Sequence, residues 1–231
     1  MRSPDLALLL SHNMLSLTRK ALEEFDNPQD CKRPLSAAIC LFLVLLMGFP
    51  CASSARTLED YLKAFRDKRP EVRRSALKSE ELARCFSEDD PSCPFREQDF
   101  KRLISALIAL TSDVDAEIRN HAAQYLASST DSRAIAPLAR LLQDRDDEVR
   151  ATAAGAFVTI LVDDDGIVSD LEKLLSDTNP KVRVGAAMSL GLNGTYQSLE
   201  RLKEAYGRER EPHVKNVLGE TIKELAKRTR K

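Results

Sequence analysis

A valine or isoleucine that directly precedes a cationic residue, with an acidic residue five positions before it, occurs five times in the chain. The pairs are Asp67 with Arg73, Asp113 with Arg119, Asp144 with Arg150, Asp177 with Arg183, and Glu209 with Lys215. Such groups can serve as catalytic acids and bases, or they can form charge-assisted hydrogen bonds. A catalytic site occurs once in a chain, whereas this constellation recurs. We therefore expect a structural ladder, formed within each unit or between neighbouring units.

Other signatures of chemistry are missing from the sequence. No phosphate-binding G-x-x-x-x-G-K-S/T, no G-x-G-x-x-G, no nucleophile-elbow G-x-S-x-G and no zinc-binding H-E-x-x-H is present. His121 and His213 fall at variable positions of the repeated pattern and are expected on helix surfaces. The sequence predicts no catalytic residue, no cofactor and no metal site.

The acid and the cation belong to a longer repeat. The apolar residue before each cation recurs at intervals of 31 to 33 residues, except for one interval of 46. Small or apolar residues follow it by four and often by eight positions, which is one stripe of a helix. A second apolar stretch with helical spacing precedes each anchor, and Pro70, Pro180 and Pro212 lie in the connecting turns, where proline suits the first turn of a helix. Each unit is predicted to be helix, turn, helix.

Composition supports the same fold class. Hydrophobic residues make up 43% of the 231 residues, aromatics only 5%, and tryptophan is absent, which favours helices packed on helices over a sheet. The net charge of -1 argues against a nucleic-acid partner, because no basic field is present to hold a phosphate backbone. We predict an all-α protein, an α-solenoid superhelix of about five stacked helix-turn-helix units.

The segments "LLQDRDDEVRATAAGAF" and "LLSDTNPKVRVGAAMSLGLNG" resemble HEAT repeats of the short-unit type named after phycobilisome lyase subunits. The resemblance extends over about residues 57–228. The first and last copies depart from the pattern, with Leu77 and Glu80 in one and Lys215 and Gly219 in the other, as capping units do. The resemblance implies a scaffold that binds an extended partner without doing chemistry. The family name implies the alternative, a chromophore-lyase-like subunit that assists an enzyme.

Residues 37–49 form an apolar run that follows Lys32 and Arg33 and precedes small residues. This pattern predicts an export signal over residues 37–55, cleaved after Ala55, or a retained membrane anchor. Residues 1–36 are then an extension from a start codon placed too far upstream, or a cytoplasmic tail. A lipoprotein site at Cys51 lacks the required small residues before it. Either route places a repeat domain of residues 56–231 in the periplasm or outside the cell.

The long interval of 46 residues indicates an insertion at about residues 85–99. It carries Cys85 and Cys93, which are candidates for a disulfide in an oxidising compartment; two thiols are the alternative. The insertion is expected to cap the first unit or to join a binding surface.

The second helices are expected to line a concave face, which in this class binds a protein or peptide. A membrane is expected as a partner only through residues 37–55, if they are not cleaved. Our leading interpretation is an exported, non-enzymatic scaffold at the cell envelope. The candidate contact residues neighbour the buried stripe and are Arg74, Asn120, Gln124, Ala151, Val184 and Met188.

Overall fold

The computed structural model describes residues 56–86, 95–129 and 131–229, and in these residues it contains α-helices, one short 3-10 helix and no strand. The helices are α1 (Leu58–Phe65), α2 (Pro70–Leu77), α3 (Glu80–Arg84), α4 (Glu97–Leu110), α5 (Ala116–Ala127), the 3-10 helix (Ser132–Ala134), α6 (Ile135–Leu141), α7 (Asp147–Ala156), α8 (Asp165–Leu174), α9 (Pro180–Asn193), α10 (Tyr196–Arg208) and α11 (Pro212–Thr229).

The predicted extension and the predicted signal or anchor, residues 1–55, lie outside the described residues, as does Cys93. Within the described ranges, no helix is both long enough and apolar enough to span a bilayer.

The helices form five stacked pairs, which confirms the predicted all-α repeat architecture. The first helices of the pairs are α1, α4, α6, α8 and α10, and the second helices are α2, α5, α7, α9 and α11. Each second helix packs against the second helix of the next pair, in chain order from α2 to α11. This serial contact is the arrangement of a solenoid, in which each unit buries its apolar face against its neighbours.

The second helices begin with N-cap residues directly after the turns between paired helices. Asp115, Asp146 and Asn179 each accept a hydrogen bond from the backbone N–H two residues later, at the N-termini of α5, α7 and α9. Pro70 and Pro180 occupy the first positions of α2 and α9, where the missing N–H has no intrahelical partner to lose. These caps fix the point at which each second helix begins.

The predicted apolar stripe forms the core. The anchors Ile118, Val149 and Val182 are fully buried, whereas Val72 in the first unit is only partly buried. The residues four positions after each anchor are all buried: Ala76, Ala122, Ala153, Ala186 and Leu218. Alanine at these positions lets neighbouring helix backbones come close, because little side-chain volume separates them.

Helix α9 packs closely against α7 at Gly185. A Cβ atom on Gly185 would lie 3.1 Å from the Ala154 Cβ and 3.1 Å from the Gly155 backbone nitrogen. By contrast, a Cβ atom on Gly155 would have no atom within 4 Å. Gly185 is therefore required by packing, and Gly155 is not.

The first unit differs from the prediction in where its extra residues begin. Helix α2 ends at Leu77, and Ser79 caps an additional short helix, α3, by accepting a hydrogen bond from the Leu82 N–H. The extra segment therefore starts near residue 78, earlier than the predicted 85. Position 80 is a glutamate, whereas the other units have a large apolar residue within the second helix or directly after it.

An aromatic cluster joins this extra segment to the first two units. Phe86 lies 4.8 Å from Tyr125, and Phe95 meets Tyr61 edge-on at 5.9 Å, between ring centroids. Phe100 contacts both Phe86 and Phe95. The described flanks of the insertion thus pack against the start of the solenoid, while residues 87–94 lie outside the described part.

Candidate functional site

The acid and cation pairs lie along one edge of the stack, which we call the turn edge because it contains the turns between paired helices. Within a unit, the arginine does not contact the carboxylate six residues before it. The Nη1 atoms of Arg119 and Arg150 instead donate to the backbone carbonyls of Asp113 and Asp144, at 2.8 and 2.9 Å. The side chain thereby closes its own turn.

The same arginines then bind the carboxylate of the next unit. Arg119 donates to both Asp144 oxygens at 2.7 and 2.6 Å. The equivalent contacts are Arg73 with Asp113 at 2.9 Å, Arg150 with Asp177 at 2.8 and 3.1 Å, and Arg183 with Glu209 at 2.7 and 3.0 Å. Every rung therefore links two units. In the rungs of Arg119, Arg150 and Arg183, hydrogen bonds to both carboxylate oxygens set the relative orientation of the units.

The rungs are largely removed from water. The side chains of Arg119 and Asp144 are 6% and 8% exposed. Burial alone would raise the pKa of Asp144, but the hydrogen bonds from Arg119 and from the Asp146 N–H lower it below its usual value. Hydrogen bonds from Arg183, outweighing burial, lower the pKa of Glu209 from 4.5 to about 2. These carboxylates stay ionised at neutral pH and have no proton to donate.

Both ends of the ladder are closed by local contacts. In the part of the chain that the structure describes, no unit precedes Asp67, and its carboxylate pairs with the exposed Arg69 at 3.1 Å. At the other end, the Lys215 ammonium lies 5.1 Å from the centre of the Tyr206 ring. Lys215, which takes the place of arginine in this copy, thus contacts an aromatic ring of its own unit.

A second, exposed row of ion pairs joins the second helices of neighbouring units, through side chains in the first turns of α5, α7 and α9. Glu117 on α5 binds Lys78, and it also lies 3.3 Å from Arg74. Lys181 on α9 binds Glu148 on α7 at 2.6 Å. Because these pairs are solvated, each adds little stability, and their charges are accessible to a partner.

The six residues predicted to contact a partner all lie on second helices, on a surface that we call the second-helix face. Gln124 and Met188 are exposed, and the Met188 side chain retains 45% of its accessible surface. The partly buried members are Arg74, Asn120, Ala151 and Val184. The face is polar on α2 and α5 and apolar on α7 and α9, and the role of these residues stays a prediction.

Asn120 has an unsatisfied atom on this face. Its side-chain oxygen is buried and accepts no hydrogen bond from any residue that the structure describes. An unsatisfied buried acceptor costs about 1–3 kcal/mol. No stability argument explains asparagine at this position.

The C-terminal ends of α7 and α9, opposite to the turn edge, carry polar contacts that the sequence analysis missed. We call this region the loop edge. The Asn193 amide donates to the carbonyls of Phe157 and Ile160 and accepts from the Val162 N–H. Ser189 is fully buried and donates to the Ala154 carbonyl at 2.6 Å. The signal available in the sequence was a polar residue in an otherwise apolar helix. Asn193 fits a C-terminal helix position, and its amide is engaged in the core.

Cys85 is buried and disulfide-bonded. Cys93 lies outside the described residues, so the pairing of these two residues stays a prediction. In the described ranges, no group of three or more His, Cys, Asp or Glu side chains is placed to hold a metal ion.

Comparison with known proteins gives the same architecture. The family model for HEAT repeats matches residues 58–157 and 141–223. The complex of CpcE and CpcF of phycocyanin lyase from Nostoc sp. PCC7120 is similar in structure, with a TM-score of 0.59 at 18% identity, over 78% of this chain and 69% of that chain. No curated protein matches the chain.

Designed repeat proteins are also similar in structure. A designed armadillo repeat protein in complex with the peptide (KR)4 has a TM-score of 0.51 at 19% identity, over 71% of this chain and 80% of that chain. Computationally designed armadillo repeat proteins for modular peptide recognition match with a TM-score of 0.50 at 20% identity, over 71% of this chain and 80% of that chain. At these identities the likeness concerns the fold.

Proposed function

The chain belongs to the HEAT-repeat family, and from this premise we propose that it is a non-enzymatic scaffold that holds an extended segment of another protein on its second-helix face. The observation that carries the proposal is a difference between the turn edge and the second-helix face. The ladder residues form hydrogen bonds within the stack, whereas the second-helix face has side chains along four units that a partner could contact.

The chemistry of the face supports a protein partner. Exposed Gln124 can donate to and accept from a peptide backbone, and exposed Met188 offers a flexible apolar contact that adapts to the side chain it meets. The charged groups Glu117 and Lys181 of the exposed ion-pair row lie on the same helices, about 10 Å along the axis from Gln124 and Met188. An extended peptide that runs across the units would meet polar groups on α2 and α5 and apolar groups on α7 and α9.

The arginines and carboxylates of the turn edge support the non-enzymatic part of the proposal. Their hydrogen-bonding atoms are engaged in the links between units, and the lowered pKa values of Asp144 and Glu209 leave them poor proton donors or acceptors at neutral pH.

Site-specific photocrosslinking of the full chain in the cells that make it tests the scaffold proposal. A photoreactive amino acid replaces Gln124 in one variant and Met188 in another. Gln197, an exposed residue on the first helix α10, is replaced in the control variant. We expect one protein to be captured from positions 124 and 188 and not from position 197. Equal capture at all three positions, or no capture at 124 and 188, would contradict the proposal.

We propose further that the domain is exported and acts in the cell envelope. The support is the apolar run of residues 37–49 after Lys32 and Arg33. Mass spectrometry of the N-terminal peptide is expected to find a chain that starts at Arg56 in a periplasmic or secreted fraction. A chain that keeps residues 37–55 in the membrane fraction would indicate the anchor, and an uncleaved chain in the cytosol would reject export.

A chromophore-lyase-like subunit is the second candidate, and it is favoured by the likeness to the phycocyanin lyase complex. It would work in the cytoplasm beside its pigment protein. Cytosolic location together with chromophore attachment to a phycocyanin subunit that depends on this chain would establish it. Export of the domain would count against it.

A further inference from the structure

A groove lies among the first helices, in the layer of the stack opposite to the second-helix face. It has a volume of about 610 Å³ and is lined by α1, α4 and the 3-10 helix. Its apolar floor consists of Leu62, Phe65 and Leu110, each at most 6% exposed. The groove is open because α4 presents the small residues Ser105, Ala106 and Ala109 between the neighbouring helices.

The rim of this groove carries one sign of charge. Arg66, Lys101, Arg102 and Arg133 line it, and no carboxylate does. We call it the cationic groove. The acidic partners of three of these residues, Glu59, Glu97 and Asp131, lie outside the lining.

The cations differ in how firmly they are held. Arg133 is fixed across the groove, because it donates to the Ser105 hydroxyl at 3.1 Å and to the Lys101 carbonyl at 3.3 Å. Arg66 forms no ion pair with any residue that the structure describes. The pairs of Lys101 with Glu97 and of Arg102 with Glu59 are exposed, and such pairs exchange at little cost.

A matching groove between α8 and α10 serves as an internal comparison. It has a volume of about 310 Å³, and its lining contains Lys173, Arg201 and Arg208 together with Glu172 and Glu204. We call it the mixed groove. Glu204 lies within 3.6 Å of both Arg201 and Arg208, so these two arginines have a carboxylate partner inside the lining. A lining that carries cations and no carboxylate is therefore not a feature of every first-helix groove of this solenoid.

We propose that the cationic groove is a docking site for a short acidic segment of a partner protein, in which carboxylates flank one or two large apolar side chains. The carboxylates bind Arg66, Lys101 and Arg102, and the apolar side chains cover Leu62, Phe65 and Leu110. Residues 102 and 109 of α4 are about 10 Å apart along the helix axis, a length that about three residues of extended chain span.

A peptide fits this groove better than a lipid surface does. A membrane-binding face presents protruding apolar and aromatic side chains, whereas the apolar residues here form a recessed floor. The site lies on the first helices and is independent of the proposed second-helix face, so either proposal can fail without the other.

Peptide selection on the purified full chain tests the proposal. A displayed library of random twelve-residue peptides is selected at physiological salt, and the recovered peptides are labelled for anisotropy measurements. We expect enrichment of Asp and Glu around Leu or Phe. The double variant Arg66→Glu, Arg102→Glu should weaken the affinity at least about tenfold, a change of about 1.4 kcal/mol.

The matched control is the double variant Lys173→Glu, Arg201→Glu in the mixed groove, which makes the same charge change and should leave the affinity within about twofold. Ala109→Leu fills the cationic groove without changing charge or helix propensity, and it should also abolish binding. Circular dichroism and thermal unfolding show whether each variant is folded.

Four outcomes would overturn the proposal. One is a selection without acidic enrichment, and another is an equal loss of affinity in both double variants. The third is stronger, groove-dependent binding to vesicles of phosphatidylcholine and phosphatidylserine than to the peptides, which would make the occupant a lipid. The fourth is concentration-dependent dimerisation, measured by light scattering, that only the cationic-groove variants lose, which would make the occupant a second copy of the chain.

Discussion

The contact between the first and second units and the contact between the third and fourth units use the same ladder but different packing. Arg73 binds Asp113 at the first contact, and Arg150 binds Asp177 at the second. Beyond the ladder, the first contact is filled by aromatic rings, including Tyr125, whose hydroxyl donates to the Leu77 carbonyl at 2.7 Å. At the second contact the helices pack closely at Gly185, and polar groups such as Ser189 form hydrogen bonds between them.

The comparison separates two kinds of information in the repeat. The turn edge sets the relative orientation of units through two-point ion pairs, so it requires the same residue types every time. The helix contact only has to fill the space that remains, and large and small residues both do so. At the first contact the aromatic rings also fasten the extra segment after α2, a task that the central units lack.

Removal of a rung is expected to have the largest effect, and the same effect at both contacts. Arg73→Leu and Arg150→Leu each leave a nearly buried carboxylate without its partner, so each should lower the free energy of unfolding by about 3–5 kcal/mol. Urea unfolding followed by circular dichroism measures both. Arg69→Ala, at the exposed end of the ladder, is the control and should unfold like the unmodified chain. Unequal losses at the two contacts would show that the ladder is not a uniform device.

Substitution of Gly185 is expected to disrupt the packing of the third unit against the fourth. Gly185→Ala introduces a Cβ 3.1 Å from Ala154 and Gly155, and we expect a loss of about 1–3 kcal/mol from overpacking. Gly155→Ala, in open space on the partner helix, should be neutral or stabilising, since alanine is the better helix former. Thermal unfolding of this pair distinguishes packing from helix propensity; equal shifts would contradict the close approach.

The last rung should be sensitive to acid. Because the folded-state pKa of Glu209 is about 2 and its ordinary value is 4.5, the stability it contributes is complete above pH 4.5 and is lost as the pH falls toward 2. Glu209→Gln should therefore be less stable at neutral pH and should show a shallower decline over this range. Chemical unfolding at several pH values measures the slope. Identical slopes would show that Glu209 titrates normally in the fold.

The smallest effects should come from two matched hydroxyl groups, one at each contact. Tyr125→Phe and Ser189→Ala each remove one hydrogen bond to a helix carbonyl, and we expect each to cost about 0.5–1.5 kcal/mol. The buried Ser189 should cost more than the partly exposed Tyr125, because water can replace the phenol donor but not the serine donor. Denaturant midpoints of the two variants test this order.

Much of the stacking could be predicted because the same residue pattern recurs along the chain. The spacing of acid, apolar anchor and alanine placed the ladder and the stripe on their helices, and the turn prolines marked where the second helices begin. The helix break at Lys78 and Ser79 was harder to predict, because a local cap at Ser79 competed with the expectation that α2 would continue as in the other units.

By itself, the sequence determined the fold class, the period and the residue types of every rung, since these depend on local spacing and on a pattern that recurs. Only the tertiary structure decided that each ladder arginine binds a backbone carbonyl in the turn of its own unit and the carboxylate of the next unit. It also decided that Asn193 and Ser189 point into the core and that Arg66, Arg102 and Arg133 share one groove. The contacts between units join residues that are 25 to 67 positions apart, and no short-range pattern encodes the side on which two packed helices meet.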